Sequence, residues 1–584
     1  MLAHIHRILS HHEQVGVVQA LLVGERGNVN QQFRQRMIHT GTMHLMAISG
    51  LHIGMIFAWC FFLGRWMWVI RPSLALIIPA QRIGLIAGMS GALGYACMAG
   101  LTLPTQRALF MVLVMSLSLF SGYRFSFWLS LSTALLVVLI WDPNAVLSTG
   151  FWLSFAAVGL IFAVIKRKSG RGRRHAGSIK RWLDHGLKWG HIQFSLLIGL
   201  SPILMYSFGM FSGLSPVANL IAIPWVGLLI LPMLLMGTLL IPISDMAASW
   251  CMHVGAEQIA FLDQYLGYLM RFDSLTWMTF RPSLWQVGLS LLGLVIIILS
   301  GPWRFKVAGI PLFLIAFVPA TESIPPGAFR ATVLDVGQGL SVLLETGNHV
   351  WVYDTGPNYS ARLIAAEQAL WPAMQRHGRS SIDHLIVSHS DLDHSGGVPW
   401  LQDHVRVAEV LSSDADQYRG QFTTVHPCQA GQSWEEDGVY FEMLHPRPEE
   451  SFQDNNASCV LRVQTGDVAF LLAGDIESEA ENFLVERYGQ NLLADVMIVP
   501  HHGSLTSSSP AFLSAVQPRY AILSSGYRNR FGFPNEKVLQ RYRQIGAKIL
   551  NTARDGAVRI DADPGGANVS VYRTRFPHYW NAAR

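Results

Sequence analysis

The chain has 584 residues, 51% hydrophobic and only 14% charged side chains, and a formal net charge of +5. It is too long for one compact domain and too apolar for an ordinary soluble protein, so a membrane part is expected. The charge is unevenly divided: residues 1–325 carry 22 Lys and Arg against 9 acids, and residues 326–584 carry 21 against 29. The two halves therefore do different work.

The N-terminus, MLAHIHRILSHHEQ, has no basic stretch followed by an apolar one, so no cleavable signal is expected and residues 1–36 read as an amphipathic juxtamembrane segment. Residues 37–322 contain ten apolar runs of roughly spanning length, near 43–70, 82–102, 105–122, 125–142, 148–165, 191–210, 216–241, 246–270, 284–300 and 306–320. Polar groups inside such runs are costly and therefore informative. The first run holds His44, Ser49 and His52, the two histidines near one helix face. Arg107 opens the third run after Pro104, and Asn219 sits between Pro216 and Pro224. His253 and Glu257 make the eighth run amphipathic. Each group alone is explained by a bond between helices. Together they favour a polar bundle interior and transport.

Between the fifth and sixth runs, residues 166–188 hold nine Lys or Arg and one acid, which assigns this loop to the cytoplasm. A nucleic-acid patch is the other reading of such a run. Counting from that anchor, the loops near Arg71 and Arg82, at Tyr123–Arg124 and at Pro302–Lys306 fall inside and are basic. TLPT and DPNAV fall outside and lack positive charge, while Arg271 and Arg281 go against the rule. The last run then delivers the second half to the outer face of a bacterial inner membrane.

From 328 to 575 the pattern changes to strands and helices in alternation, with residues 576–584 as a tail. Three polar clusters fall at the C-terminal ends of strands: His389, Asp391, Asp393 and His394 in HSDLDH, Asp475 in AGD, and His501 and His502 in PHHGS. Imidazole nitrogens and carboxylate oxygens gathered on rigid turns suit a site for one or two divalent ions, zinc, manganese or iron(II), of which manganese or zinc is the expectation. Cys428 and Cys459 lack CxxC spacing. They read as packed or free thiols, or as a disulfide if this half lies outside the cytoplasm.

DTG at Asp354, SHSDLDHSGG, AGD and HHGS, in that order, resemble the metallo-β-lactamase superfamily. LDVGQG, HxDxDH and NNASCVL, with HLMAISGLHIGM, LPTQRA and NLIAIPWVGLLILP in the first half, resemble the ComEC family of DNA-internalisation competence proteins. The likeness covers about residues 10–575. It implies a polytopic α-helical membrane domain followed by an α/β metallo-β-lactamase-like sandwich (αββα). It implies metal ligation by His389, Asp391, Asp393, His394, Asp475 and one histidine of PHHGS, with His501 the first choice. Asp354 would orient ligands from behind. Asp393 and Asp475 would position the attacking water and His502 would protonate the leaving group. The superfamily's third-motif histidine has no clear match, with His445 the candidate stand-in. Leu340 and Phe533 stand where the family often carries polar residues. The family's small β-barrel domain ahead of the membrane part is not expected in these residues.

The activity so implied is passage of single-stranded DNA through an inner-membrane channel, with a metal-dependent hydrolase that degrades the other strand. A DNA receptor, a helicase-like cytoplasmic motor, membrane lipid and a homo-oligomer are the implied partners. Arg528 and Arg530, interleaved with Tyr527, Phe531 and Phe533, suit contact with a single strand, or form an ordinary surface loop. A transporter with a non-catalytic gating or binding domain, and a membrane-tethered phosphoester hydrolase, are the rival readings.

Overall fold

The computed structural model describes residues 2–46, 48–121, 126–169, 178–278, 280–299, 302–319, 322–360, 363–447, 449 and 452–577. Most of the basic 166–188 loop, Tyr123–Arg124 and most of the 576–584 tail lie outside the described residues or side chains. Two compact units divide the chain: Met1–Met278 with Pro282–Val318, and Thr279–Arg281 with Pro319–Arg584.

The first unit is helical, and each of the ten apolar runs contains a helix. Among the described residues, five helical segments are long and apolar enough to cross a membrane: Gly50–Val69, Leu103–Phe120, Thr149–Lys166, Lys188–Phe208 and Ser215–Leu240. Five of the ten expected runs thus meet that length and composition among the described residues. Phe127–Trp141 and Leu284–Ile298 are apolar but only 15 residues each, and Trp303–Leu314 is 12 residues with Pro311 inside. Asp245–Leu269 carries three acids. Residues 1–36 are more than a juxtamembrane appendage. Ile5, Leu9, Val18, Leu22 and Phe33 are buried together with Ala222, Ile230, Met252 and Leu266, so tertiary packing draws a nine-residue apolar helix, Val15–Val23, into the core.

Of the polar groups expected inside the bundle, His52, Arg107 and Asn219 are buried. The helix of the first apolar run begins at Gly50, so Ser49 is its N-cap, and His44 lies before it in the turn Met43–Leu45. His44, His253 and Glu257 are exposed on the unit's surface. His253 Nδ1 donates to Ser249 O at 2.9 Å, and Glu257 faces His12 at 3.5 Å.

The second unit is two sheets between layers of helix. We number its sandwich strands β1 Phe329–Val333, β2 Val342–Glu345, β3 Val350–Tyr353, β4 Ser381–Val387, β5 Arg406–Ser412 and β6 Val425–Pro427. Then come β7 Ser433–Glu436, β8 Val439–His445, β9 Val460–Thr465, β10 Val468–Leu472, β11 Val496–Ile498, β12 Tyr520–Leu523, β13 Lys548–Asn551, β14 Val558–Asp563 and β15 Gly566–Val571. The first sheet runs β6-β5-β4-β3-β2-β1-β14-β15 and the second β7-β8-β9-β10-β11-β12-β13. Pairing is parallel from β3 to β6 and from β10 to β13, and antiparallel elsewhere. The parallel strands are near-continuous apolar runs such as HLIV and VAFLL because both faces are covered.

Between the sheets, Phe329, Trp351, Phe441, Leu461, Phe470 and Ile560 are buried, and Trp351 stacks on Phe441 at 4.3 Å between centroids. Leu484, Phe512 and Tyr542 bring three helices onto the outer face of the second sheet. Leu370, Met374 and Leu401 cover the outer face of the first. Parallel strands on this plan end together at one edge, and the loops leaving that edge carry the metal-type residues.

At Trp351 the sandwich holds a charged clamp. His384 of β4 stacks on Trp351 at 3.9 Å and gives Nδ1 to Glu409 Oε2 at 2.8 Å and Nε2 to Glu436 Oε1 at 2.9 Å. Glu409 lies on β5 of the same sheet and Glu436 on β7 of the other. His426 also faces Glu409 at 3.6 Å, and His349 faces Glu436 at 3.9 Å. Only the imidazolium donates from both nitrogens. Burial lowers the His384 pKa, but Glu436 and Glu409 outweigh it, and the net direction is upward. The clamp's stabilisation is therefore complete below the ordinary imidazole value of about 6.5 and is lost as pH rises through the raised folded value. Urea unfolding of the full-length protein should show stability falling over that window, and His384→Gln should flatten the fall. An unchanged pH profile in the variant would disprove the clamp.

Candidate metal centre

Strand β4 ends at Val387, and the chain turns through Ser388–Ser390 into the short helix Leu392–Ser395. That turn presents His389, Asp393 and His394. Asp475 follows β10 through the tight AGD turn. His502 follows β11 in a turn where His501 and His502 both adopt left-handed backbone, φ 49° and 53°. Two consecutive non-glycine residues there are uncommon and cost of order 1–3 kcal/mol each, so the surrounding fold holds this turn in place.

Two groups of ligand atoms result, each lying within 4.8 Å of one another: His389, His394 and Asp475, and Asp393, His394 and His502. His502 Nε2 is 3.2 Å from Asp393 Oδ2, 3.4 Å from Asp475 Oδ2 and 3.2 Å from His394 Nε2. His394 Nε2 is 3.2 Å from Asp475 Oδ1. The geometry brings His502, not His501, into the cluster. His501 points away, its Nδ1 3.2 Å from both Glu477 Oε1 and Thr506 Oγ1. Asp391 stays at the rim: its side chain is 68% exposed and lies 3.7 Å from His389. His445 lies outside both groups, donating Nε2 to Asn456 O at 2.7 Å, and burial pushes its pKa down to about 4.

The groups behind the cluster fix which nitrogen faces inward. Asp354 Oδ2 accepts His394 Nδ1–H at 2.7 Å and Ser388 Oγ–H at 2.8 Å, and Asp354 Oδ1 accepts Ser388 N–H at 2.7 Å. With the Ser388 proton committed to Asp354, His389 Nδ1, 3.0 Å away, donates to Ser388 Oγ. His502 Nδ1 donates to Ser524 O at 2.7 Å. Every histidine of the cluster thus has its Nδ1–H tied outward and its Nε2 lone pair turned inward, as metal-ligating imidazoles do. Ser458 Oγ accepts Asp475 N–H at 3.2 Å and ties that turn to the start of β9. Sequence reasoning placed Asp354 behind the cluster but assigned no role to Ser388, Ser458 or Ser524. Ser388 and Ser458 stand inside the motifs SHSDLDH and NNASC, so the signal was present without its meaning.

Two observations fit this pocket to a divalent cation. His389 Nε2 is buried with no hydrogen-bond partner among the described residues, which is costly unless something electropositive meets it. Two inward nitrogens, His394 Nε2 and His502 Nε2, face each other at 3.2 Å beside two carboxylates. The electrostatics agree. Burial alone would lower His394 and raise Asp475. The Asp475 and Asp354 charges around His394 reverse the first effect and the imidazoles around Asp475 reverse the second, so His394 titrates well above its usual range and Asp475 well below. The cluster favours positive charge at its centre.

The rim is aromatic. Arg528 lies 5.3 Å over the exposed Tyr527 ring and Arg530 4.8 Å over Phe531. Phe531 stacks on Phe533, which packs 5.7 Å from His501. Gly526 N–H donates to Gln338 Oε1 at 3.2 Å, joining this loop to LDVGQG. Leu340, in that same motif, is part of the buried core.

A helical unit crossed by apolar helices and an αββα unit with clustered His and Asp at its loop edge define a membrane-embedded metallo-β-lactamase-fold protein. Family models agree: "Competence protein" matches residues 21–304 and "Metallo-beta-lactamase superfamily" matches residues 334–527. "Competence protein ComA" of Neisseria gonorrhoeae is 34% identical, over 97% of this chain and 77% of that protein. "Recombination protein 2" of Haemophilus influenzae is 29% identical over 97% and 74%, and "ComE operon protein 3" of Bacillus subtilis is 27% identical over 96% and 73%. The chain belongs to this ComA/ComEC-type family of competence membrane proteins, and its role is in DNA uptake.

Proposed function

We propose that the helical unit conducts single-stranded DNA across the inner membrane and that the second unit is a metal-dependent nuclease that degrades the strand left outside. The observation that carries the nuclease reading is the set of three inward Nε2 lone pairs with two carboxylates. His389, His394 and Asp475 would hold one ion, manganese or zinc, and Asp393 and His502 would hold a second beside it, since the single inward nitrogen of His394 serves one ion only. Bound there, such ions supply an activated water and neutralise charge on a phosphodiester. The chain's own part is positioning. Asp354 and Ser388 hold the His394 and His389 rings, Asp393 and Asp475 orient a water for attack, and Tyr527 and Phe531 offer stacking faces beside Arg528 and Arg530. Asp391 would close the rim over His389.

The positive inner loops support a periplasmic second unit, as does the disulfide between Cys428 and Cys459. A DNA receptor, a helicase-like motor and self-association complete the proposed setting.

Full-length protein in detergent, given manganese or zinc and an end-labelled oligonucleotide, should cleave it and stop on addition of EDTA. Cleavage of a small phosphodiester with no cleavage of DNA would favour a general phosphoester hydrolase. Metal binding without any cleavage would favour a gating domain.

A further inference from the structure

The helical unit contains a buried cation that the metal chemistry leaves unexplained. Arg107 lies on the second turn of the helix Leu103–Phe120 and is 6% exposed. Its Nη1 donates to Ser148 Oγ at 3.4 Å, and its Nε has no hydrogen-bond partner among the described residues. A Cβ built on Gly150 would come within 2.8 Å of Arg107 Nη2 and 3.6 Å of the Ser148 hydroxyl. Glycine at 150 is therefore what leaves room for the guanidinium over the first turn of the helix Thr149–Ser169, 21 residues long.

That placement is unfavourable as it stands. The N-terminus of a long helix carries about half a positive charge and unbonded N–H groups, and a guanidinium laid against it in apolar surroundings is repelled unless an anion lies between. Asp142 is the acid whose charge reaches Arg107. Its Oδ1 accepts Asn144 N–H at 3.0 Å, and it makes no ion pair with Arg107 among the described residues. A planar fork of donors beside a hydroxyl and a helix N-terminus is the chemistry that recognises a phosphate oxyanion.

We propose that Arg107, Ser148 and the first turn of Thr149–Ser169 bind a phosphodiester group of the DNA strand entering the helical unit, an inference that rests on that unit being a DNA conduit. Both helices begin at loops, TLPT and DPNAV, that lack positive charge, so the site would meet the strand on the outer side. Free phosphate and lipid headgroups offer the same oxyanion, and the experiment separates them.

Full-length protein in detergent with EDTA, carrying Arg528→Ala and Arg530→Ala to weaken binding at the other unit, is titrated by anisotropy with a fluorescein-labelled 20-mer oligothymidylate at several salt concentrations. Arg107→Gln should weaken binding about tenfold, the scale of one charged hydrogen-bonded contact, and lower the log–log salt slope by about 0.7, one single-strand phosphate. Gly150→Ala, which keeps the charge and fills the cradle, should weaken binding without lowering the thermal midpoint. Arg107→Lys should recover part of the loss. Affinity and slope unchanged in Arg107→Gln overturn the site alone. A parent protein that binds no oligonucleotide overturns the conduit reading and the site with it. Binding to inorganic phosphate or anionic vesicles that Arg107→Gln removes, with oligonucleotide binding intact, assigns the site to those anions and overturns it as a DNA site.

Discussion

His502→Ala is expected to lower the affinity of the full-length protein for manganese or zinc by well over 100-fold and to abolish metal-dependent DNA cleavage, whereas His501→Ala keeps metal affinity within a few-fold. Removing a group behind a metal ligand typically costs about 10–100-fold, and removing the ligand itself costs more. His502 is 4% exposed and places Nε2 within 3.4 Å of Asp393, Asp475 and His394. Its loss would leave two carboxylates and an imidazole facing a gap with too few donors for a closed coordination sphere. His501 spends its Nδ1 on Glu477 and Thr506 and faces the Phe533 ring instead. Isothermal titration with each metal, at a pH where both variants keep the parent's circular dichroism, separates the two histidines. Equal losses would refute the geometry of the turn, and a loss confined to His501→Ala would reverse the assignment.

Why the sequence pointed first to His501 is instructive. The order of DTG, HxDxDH, AGD and HHGS is legible because each cluster terminates a strand, and parallel strands must end at one edge. Which of two adjacent histidines turns inward is a matter of backbone dihedrals. Both residues take left-handed φ values that no side-chain pattern announces. Asp391 teaches a related lesson. Its place in HxDxDH suggests a ligand, yet it is the N-cap residue of the helix Leu392–Ser395, and its side chain turns outward while Asp393 and His394 turn in. In the helical unit, the alternation of apolar runs and basic loops located the helices well. Their lengths did not follow from hydropathy, since proline and capping residues shorten several of them. Val15–Val23, too short to span a bilayer, is buried by contacts with helices more than 200 residues away, which local pattern cannot reveal.

Reduction of the Cys428–Cys459 disulfide is expected to destabilise the second unit by about 4 kcal/mol, because releasing a cross-link across 31 residues returns loop entropy to the unfolded chain. For a unit of this size that corresponds to a fall in midpoint of about 10 °C. The bond is buried and joins the end of β6 in one sheet to the start of β9 in the other. The effect should reach the metal centre through the backbone. Cys459 N–H donates to Ser388 O at 3.0 Å, and Cys459 O accepts the Tyr353 hydroxyl at 2.6 Å. The next residue back, Ser458, holds the Asp475 turn. Ser388 and Ser458 are the residues that keep His389 and Asp475 in place, so the reduced protein should bind manganese more weakly even where it remains folded. Pulse proteolysis of the full-length protein across temperature, with and without dithiothreitol, measures the first effect. Titration with manganese at 15 °C measures the second. A Cys428→Ala, Cys459→Ala protein should reproduce both in the absence of reductant. A midpoint that does not move on reduction would mean that the two sheets are held by their apolar core alone, and that the cysteines are packed thiols in the protein as it functions.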